Sequence, residues 1–131
     1  MTLTSFIPLL QTCFVGLAGA LGALTRYLLG RYIAERAGAQ FPLGTLLINV
    51  TGAFVIGLIF SLTTHKLLSP ALQAILATGF LGGYTTFSTM NWEGVQLARG
   101  GSTRMSMLYF GGSFALGLLA VSLGLLVGWW L

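Results

Sequence analysis

Hydrophobic residues fill almost the whole chain, and the few charged residues divide it into four long apolar segments. The charge-free segments cover residues 1–25, 37–65, 67–92 and 105–131. A helix needs roughly 20 apolar residues to cross a bilayer, so each segment is long enough. The pattern therefore predicts an all-α integral membrane protein that forms a single transmembrane domain over residues 1–131. The four predicted spans lie at about 6–32, 43–64, 70–99 and 103–131.

The third segment differs from the others at its centre, which reads Gly79-Phe-Leu-Gly82-Gly83-Tyr84-Thr85-Thr86-Phe87-Ser88-Thr89-Met90. Adjacent glycines followed by β-branched and hydroxyl residues make a poor continuous helix. Irregular backbone within a membrane is tolerated only where it is buried in protein or lines a polar cavity, and broken helices often form ion sites there. We therefore predict a break at residues 82–85, in mid-membrane. The alternative is a continuous helix whose glycines serve close packing.

Small residues recur at a spacing of four, a pattern that lets helix backbones approach closely within a membrane. The pairs are Ala18/Gly22, Gly19/Ala23, Gly79/Gly83 and Gly124/Gly128. They indicate tightly packed helices, and any pore between such helices is narrow. Ser69 and Pro70 are typical of an N-cap and a first helical residue, so we expect the third helix to begin there.

Composition excludes several classes of protein. Charged residues make up 6% of the chain and hydrophobic residues 56%, whereas an average soluble domain has roughly 25% charged residues. A soluble domain and a disordered chain are therefore excluded. The net charge of +4 comes from connecting segments rather than from one basic face, so nucleic-acid binding is excluded as well. The connecting segments are too short for a catalytic domain, and we expect no enzyme. Four short helices make a thin bundle, so we expect a homo-oligomer.

Polar groups inside the predicted spans are the candidates for function, because such groups are costly in lipid. Most are neutral hydrogen-bond donors, which suit an anion, and only one acid, Glu93, lies in or near a span. Each group also has a structural alternative. Hydroxyls often bond back to their own helix, Asn49 could join two helices, Arg26 could reach a lipid headgroup, and Glu93 could pair with an arginine.

Three motifs follow one another along the first three spans. They are Gly19-Ala-Leu-Gly22-Ala23-Leu-Thr-Arg26-Tyr27, Gly44-Thr45-Leu-Leu-Ile-Asn49-Val-Thr-Gly52-Ala-Phe54-Val-Ile-Gly57 and Gly79-Phe-Leu-Gly82-Gly83-Tyr-Thr85-Thr86-Phe87-Ser88-Thr89. The fourth span adds Tyr109-x-x-x-Ser113-x-x-x-Gly117. Together these motifs cover nearly the whole chain, and in this order they resemble the Fluc, or CrcB, family of fluoride channels.

The resemblance implies an antiparallel, dual-topology homodimer with two fluoride pores along its interface and a structural sodium ion at its centre. It implies a multi-pass protein of the cell inner or plasma membrane that exports fluoride passively and so lowers cytoplasmic fluoride. The sodium ligands are, by resemblance, the backbone carbonyls of Gly82 and Thr85. The implied pore residues are Asn49, Thr86, Phe87, Ser88, Met90, Tyr109 and Ser113, with Arg26 in the vestibule and Glu93 at an acidic position near the pore.

Two features of the chain are in tension with this resemblance. Met90 stands where the family has a second pore phenylalanine, and a thioether is flexible and polarizable but offers no ring edge. Arginines cluster at residues 31–36 and 99–104, whereas the other side of the membrane has Lys66 alone. The positive-inside rule would favour one orientation. We expect this bias to be too weak to fix the orientation; the alternative is a partner of opposite bias.

Two other functions stay open. A small proton-coupled exporter of cationic drugs also uses four short helices, but it needs a membrane-embedded acid, and Glu93 lies late in the third span. A structural membrane subunit without transport activity fits the glycine-rich packing but not the clustered polar groups. Anion flux through liposomes separates these possibilities.

Overall fold

The computed structural model describes residues 2–131, and within that range every regular element is helical. Three helices are long and apolar enough to cross a membrane. They are α1 (Leu3–Ala37), α2 (Leu43–Thr64) and α6 (Thr103–Trp130). Three shorter helices between α2 and α6 take the numbers in between. The chain is therefore a membrane protein.

The segment between α2 and α6 is helical in several pieces. These are α3 (Pro70–Gln73), a π-helical stretch (Ala74–Leu81), α4 (Gly82–Tyr84) and α5 (Phe87–Arg99). The Ser69 side chain accepts a hydrogen bond from the Leu72 N–H at 3.2 Å, which confirms the predicted N-cap. Pro70 occupies the first helical position, where its missing N–H costs no hydrogen bond.

Thr85 and Thr86 separate α4 from α5, because both residues are extended. Their φ and ψ angles are −79° and 158° for Thr85 and −150° and 122° for Thr86. The Thr86 hydroxyl oxygen then caps α5 by accepting a hydrogen bond from the Thr89 N–H at 3.2 Å. The break predicted from sequence at residues 82–85 was wrong for Gly82, Gly83 and Tyr84, which are helical. The Thr86 hydroxyl competes locally with helical hydrogen bonds, and side chains from α1 and α2 bind the backbone groups of Thr85 and Thr86.

The adjacent glycines serve packing against α1 rather than the turn itself. A Cβ atom added to Gly83 would overlap the Gly19 carbonyl, so only glycine permits this approach. Gly79 is also closely packed against α1, since its Cβ would stand 2.8 Å from the Val15 carbonyl oxygen. Gly82, by contrast, has helical dihedrals and no neighbour within the protomer closer than 3.9 Å to an added Cβ.

Helices α2 and α6 form the most extensive contact of the fold. A Cβ on Gly57 would overlap the Val121 carbonyl, and a Cβ on Gly124 would overlap the Phe54 carbonyl. Gly128 packs on Ser61 one turn further along. The packing role predicted for the Gly79/Gly83 and Gly124/Gly128 pairs is therefore confirmed.

Large apolar side chains remain exposed along every long helix, while the buried core is small. The core cluster contains Ile48, Ile59, Leu81 and Tyr84. Exposed apolar residues of this size and number are expected where a surface faces lipid or another copy of the chain.

Candidate functional site

Asn49 on α2 is hydrogen bonded to both backbone groups of Thr86. Its Oδ1 accepts a hydrogen bond from the Thr86 N–H at 2.9 Å, and its Nδ2 donates to the Thr86 carbonyl at 2.9 Å. The side-chain amide thus satisfies the peptide groups that the end of α4 leaves without helical partners. Asn49 joins two helices, as the structural alternative held, and it does so at the non-helical residues.

Arg26 on α1 reaches the residue before Thr86. Its Nη1 donates a hydrogen bond to the Thr85 carbonyl at 3.3 Å, and the side chain is half-buried. The guanidinium is therefore turned toward the protein, in place of the lipid-headgroup contact considered from sequence.

Tyr84, the last residue of α4, is fixed by a third contact. Its hydroxyl lies 2.9 Å from the Thr51 hydroxyl on α2, and its ring stacks on Phe80 with the ring centroids 5.9 Å apart. Gly52 allows the close approach of α2, since an added Cβ would overlap the Thr85 methyl group. Three successive residues, Tyr84 to Thr86, are thus each held by a side chain from another helix.

Both carbonyls named as sodium ligands have lost their usual helical donors. In a continuous helix, the Gly82 carbonyl would accept from the Thr86 N–H and the Thr85 carbonyl from the Thr89 N–H. The Thr86 N–H is bonded to Asn49, and the Thr89 N–H to the Thr86 hydroxyl. Gly82 and Thr85 also border one cavity of about 280 Å³, together with Asn49. Residues 2–131 hold no cluster of three side chains of the His, Cys, Asp or Glu type.

Glu93 on α5 forms the second polar cluster, with Thr45 on α2 and Tyr109 on α6. The Thr45 hydroxyl donates to one carboxylate oxygen at 3.0 Å, and the Tyr109 hydroxyl donates to the other at 2.9 Å. Thr45 and Tyr109 are buried. Glu93 is therefore bound by hydroxyls rather than by an arginine; the ion pair found in residues 2–131 joins Arg31 and Glu35 on the exposed end of α1.

A larger cavity of about 590 Å³ connects the two polar clusters. Arg26, Thr45, Thr86, Thr89 and Glu93 all contribute to its wall. Cationic and neutral donors thus face one cavity that also contains a carboxylate.

The remaining candidate residues lie at the start of α5 and along α6. Phe87 is 72% exposed and Ser88 is exposed, so neither is enclosed within one protomer, while Met90 is half-buried. Ser113 follows Tyr109 by one helical turn on α6. Its hydroxyl oxygen is buried, and nothing in the described part of the chain hydrogen bonds to it.

Sequence reasoning left Thr45 and Tyr84 out of the candidate residues, and it counted Thr51 among the polar groups of the second span without giving it a role in the site. Thr45 precedes Asn49 by four residues, a spacing that places both on one face of α2, and this was the available signal. Tyr84 carries no such signal, because its partner Thr51 lies on a different helix.

An all-helical membrane fold with polar clusters between its helices defines an integral membrane protein with a polar interior. Comparison with known proteins is more specific: the CrcB-like protein family, Camphor Resistance (CrcB), matches residues 13–125. The chain therefore belongs to the CrcB family. The relatives that match it are named as ion channels, so the family is one of channels and not of enzymes.

Three relatives illustrate the similarity, and each is named fluoride-specific ion channel FluC. The protein of Acidobacterium capsulatum is 53% identical over 116 residues, which cover 88% of this chain and 93% of the relative. That of Rhizobium meliloti is 46% identical and covers 85% and 90%. That of Aquifex aeolicus is 43% identical and covers 87% and 93%.

Proposed function

We propose that the chain is a fluoride-selective channel that lets fluoride leave the cell passively across the inner or plasma membrane. The observation that carries the proposal is the pair of hydrogen-bonded clusters at Asn49 and Glu93 in an otherwise apolar protein. Membership of the CrcB family and the naming of its relatives as fluoride-specific ion channels support the same assignment. Fluoride entering as hydrofluoric acid is trapped inside as the anion, so a passive pathway lowers its cytoplasmic concentration.

The proposed pore offers replacements for the water around a small, strongly hydrated anion. Hydroxyl and amide groups donate hydrogen bonds, and the ring edge of Phe87 presents electropositive C–H groups. Met90 supplies a flexible side chain instead of a second ring. Arg26 attracts the anion into the vestibule, and Glu93 holds the Thr45 and Tyr109 hydroxyls in place by accepting their hydrogen bonds. The proposed pore residues are Asn49, Thr86, Phe87, Ser88, Met90, Tyr109 and Ser113.

We further propose that the segment from α3 to α5 is a fourth membrane span, interrupted at its centre. It runs from Pro70 to Arg99, and at about 1.5 Å per helical residue such a length exceeds the roughly 30 Å hydrocarbon core. Phe87 is exposed and Gly82 has free space beside it, which supports a second copy of the chain at this face. An antiparallel arrangement would bring the two interruptions together, and lipid would cover the remaining apolar surface.

A structural sodium ion at the centre of this dimer is part of the proposal. The carbonyls of Gly82 and Thr85 from two copies would provide four oxygen ligands, with the Thr85 oxygen using the lone pair that its hydrogen bond from Arg26 leaves free. These ligands carry no formal charge, so they suit a monovalent cation better than calcium, which usually takes carboxylates. Bound sodium would supply a fixed positive charge next to the anion path.

The test is ion efflux from liposomes that contain the purified protein, compared with liposomes of the same lipid without protein. We expect fluoride to leave and chloride to stay, and we expect flux to fall when sodium is replaced by a large organic cation on both sides. Equal fluoride and chloride fluxes would contradict selectivity. Flux that requires a proton gradient would favour the drug-exporter alternative, and no flux would favour a structural subunit.

A further inference from the structure

Asn49 provides the hydrogen-bond acceptor for the Thr86 N–H. The preceding residue, Thr85, still completes the helical pattern, since its N–H donates to the Leu81 carbonyl at 2.9 Å. The next bond in that pattern would join the Thr86 N–H to the Gly82 carbonyl. The Thr86 N–H instead donates to Asn49 Oδ1 at 2.9 Å.

The same side chain holds the other backbone group of Thr86, because Asn49 Nδ2 donates to the Thr86 carbonyl. These two bonds fix the orientation of the amide and leave one of its N–H groups unused. Gly52, three residues along α2, allows the helix to approach close enough for this contact, as an added Cβ would overlap Thr85. The interruption is therefore maintained from α2.

We propose that Asn49 is a positioning residue for the cation: by binding the Thr86 N–H, it keeps the Gly82 carbonyl free to bind sodium. This inference rests on the proposed function. Asn49, Gly82 and Thr85 border the same cavity of about 280 Å³. Asn49 therefore adjoins the same space as the residue whose carbonyl it leaves without a helical donor. Without Asn49, the Thr86 N–H lacks its partner, and the Gly82 carbonyl is the acceptor that a continuing helix supplies. That bond would occupy the proposed sodium ligand.

The test measures sodium binding by its effect on thermal stability, which does not require conduction. A ligand that binds only the folded protein raises its melting temperature in a concentration-dependent way. We expect sodium to stabilise the detergent-solubilised wild-type protein in an otherwise sodium-free buffer with a large organic cation. In Asn49→Leu, the sodium concentration for half of the effect should rise at least about fivefold, the lower end of what a blocked or unpaired buried group costs.

Two variants serve as controls. Asn91→Leu makes the same chemical change at the other asparagine of the chain, on α5, and should leave the sodium effect within about twofold of wild type, as expected for a change away from the site. Asn49→Asp keeps an acceptor for the Thr86 N–H, so it should retain the sodium effect while its negative charge lowers fluoride flux. If Asn49→Leu does not fold, Asn49→Ser replaces it, with the same expected loss of sodium binding.

An unchanged sodium effect in the folded Asn49→Leu or Asn49→Ser protein overturns the inference, and any accompanying loss of flux then assigns Asn49 to the anion directly. An equal loss in Asn49→Asp and Asn49→Leu also overturns it, because the retained acceptor would be irrelevant. Wild-type protein with neither a sodium effect nor fluoride flux indicates instead that the proposed function is wrong.

Discussion

Tyr109 donates its hydroxyl proton to Glu93 Oε2 at 2.9 Å, and this contact joins α6 to α5 inside the protein. Tyr109 is completely buried within the protomer. The other carboxylate oxygen of Glu93 is bound by Thr45. The cluster thus links three helices through one acidic side chain, and a change at any member alters the environment of the carboxylate.

Tyr109→Phe should destabilise the protein by about 1–3 kcal/mol, because it leaves one oxygen of Glu93 without a donor. We expect a lower melting temperature and slower fluoride efflux in liposomes. Tyr32→Phe is the matched control, since Tyr32 is 53% exposed and the variant keeps the ring on which Arg36 lies. Wild-type stability and flux in Tyr109→Phe would show that Glu93 does not depend on this hydroxyl.

Gly83→Ala should destabilise the fold by roughly 1–3 kcal/mol, because the new methyl group would overlap the Gly19 carbonyl and push α1 away. Gly16→Ala on α1 is the control, as an added Cβ there meets nothing within 4 Å. The free energy of unfolding of this variant should stay within about 0.5 kcal/mol of wild type. The measurement is thermal unfolding in detergent, and equal melting temperatures for the two variants would contradict the assigned packing.

Gly124→Ala should weaken the contact between α2 and α6. The added methyl group would overlap the Phe54 carbonyl, and backbone cannot move aside as a flexible side chain does. We expect a loss of roughly 1–3 kcal/mol, the usual cost of overpacking. Gly117→Ala on the same helix has nothing within 4 Å and should be neutral. Chemical or thermal unfolding of both variants tests the prediction, which fails if Gly117→Ala is the more damaging change.

Phe87→Leu should reduce fluoride flux about two- to tenfold, the range expected from losing an aromatic edge contact of roughly 0.5–1.5 kcal/mol. Phe114→Leu provides a close control, because both phenylalanines are 72% exposed in the protomer and only Phe87 adjoins the interruption. Efflux from liposomes with matched protein content measures both. Equal flux in the two variants would remove Phe87 from the proposed pore.

Much of the architecture is encoded locally. Charge-free segments long enough to cross a bilayer require no knowledge of the fold, and the Ser69 cap is a property of a few adjacent residues. The small-residue pairs are similarly readable, because helices in lipid associate through close packing of such residues. Gly83 and Gly124 both contact the backbone of another helix, as their spacing predicts.

The site was only partly predictable. Asn49, Arg26 and Glu93 stand out as polar residues in apolar segments, but their partners do not. Thr45 and Thr51 resemble ordinary helical threonines, and Thr51 does bond back to its own helix at the Leu47 carbonyl. Their hydroxyls also reach Glu93 and Tyr84, and those contacts depend on which faces of the helices meet.

The sequence by itself determined the membrane class, the packing glycines and the family, because each depends on residue type and spacing along one chain. Tertiary structure decided which residues leave the helix. Local propensity suggested the glycines, yet Gly82 is helical and the interruption falls at Thr85 and Thr86. The physical reason is that a peptide group in an apolar interior can leave a helix only where another partner meets it. For Thr86 that partner is Asn49, on a different helix, and only the packing of α2 against this segment brings the two together.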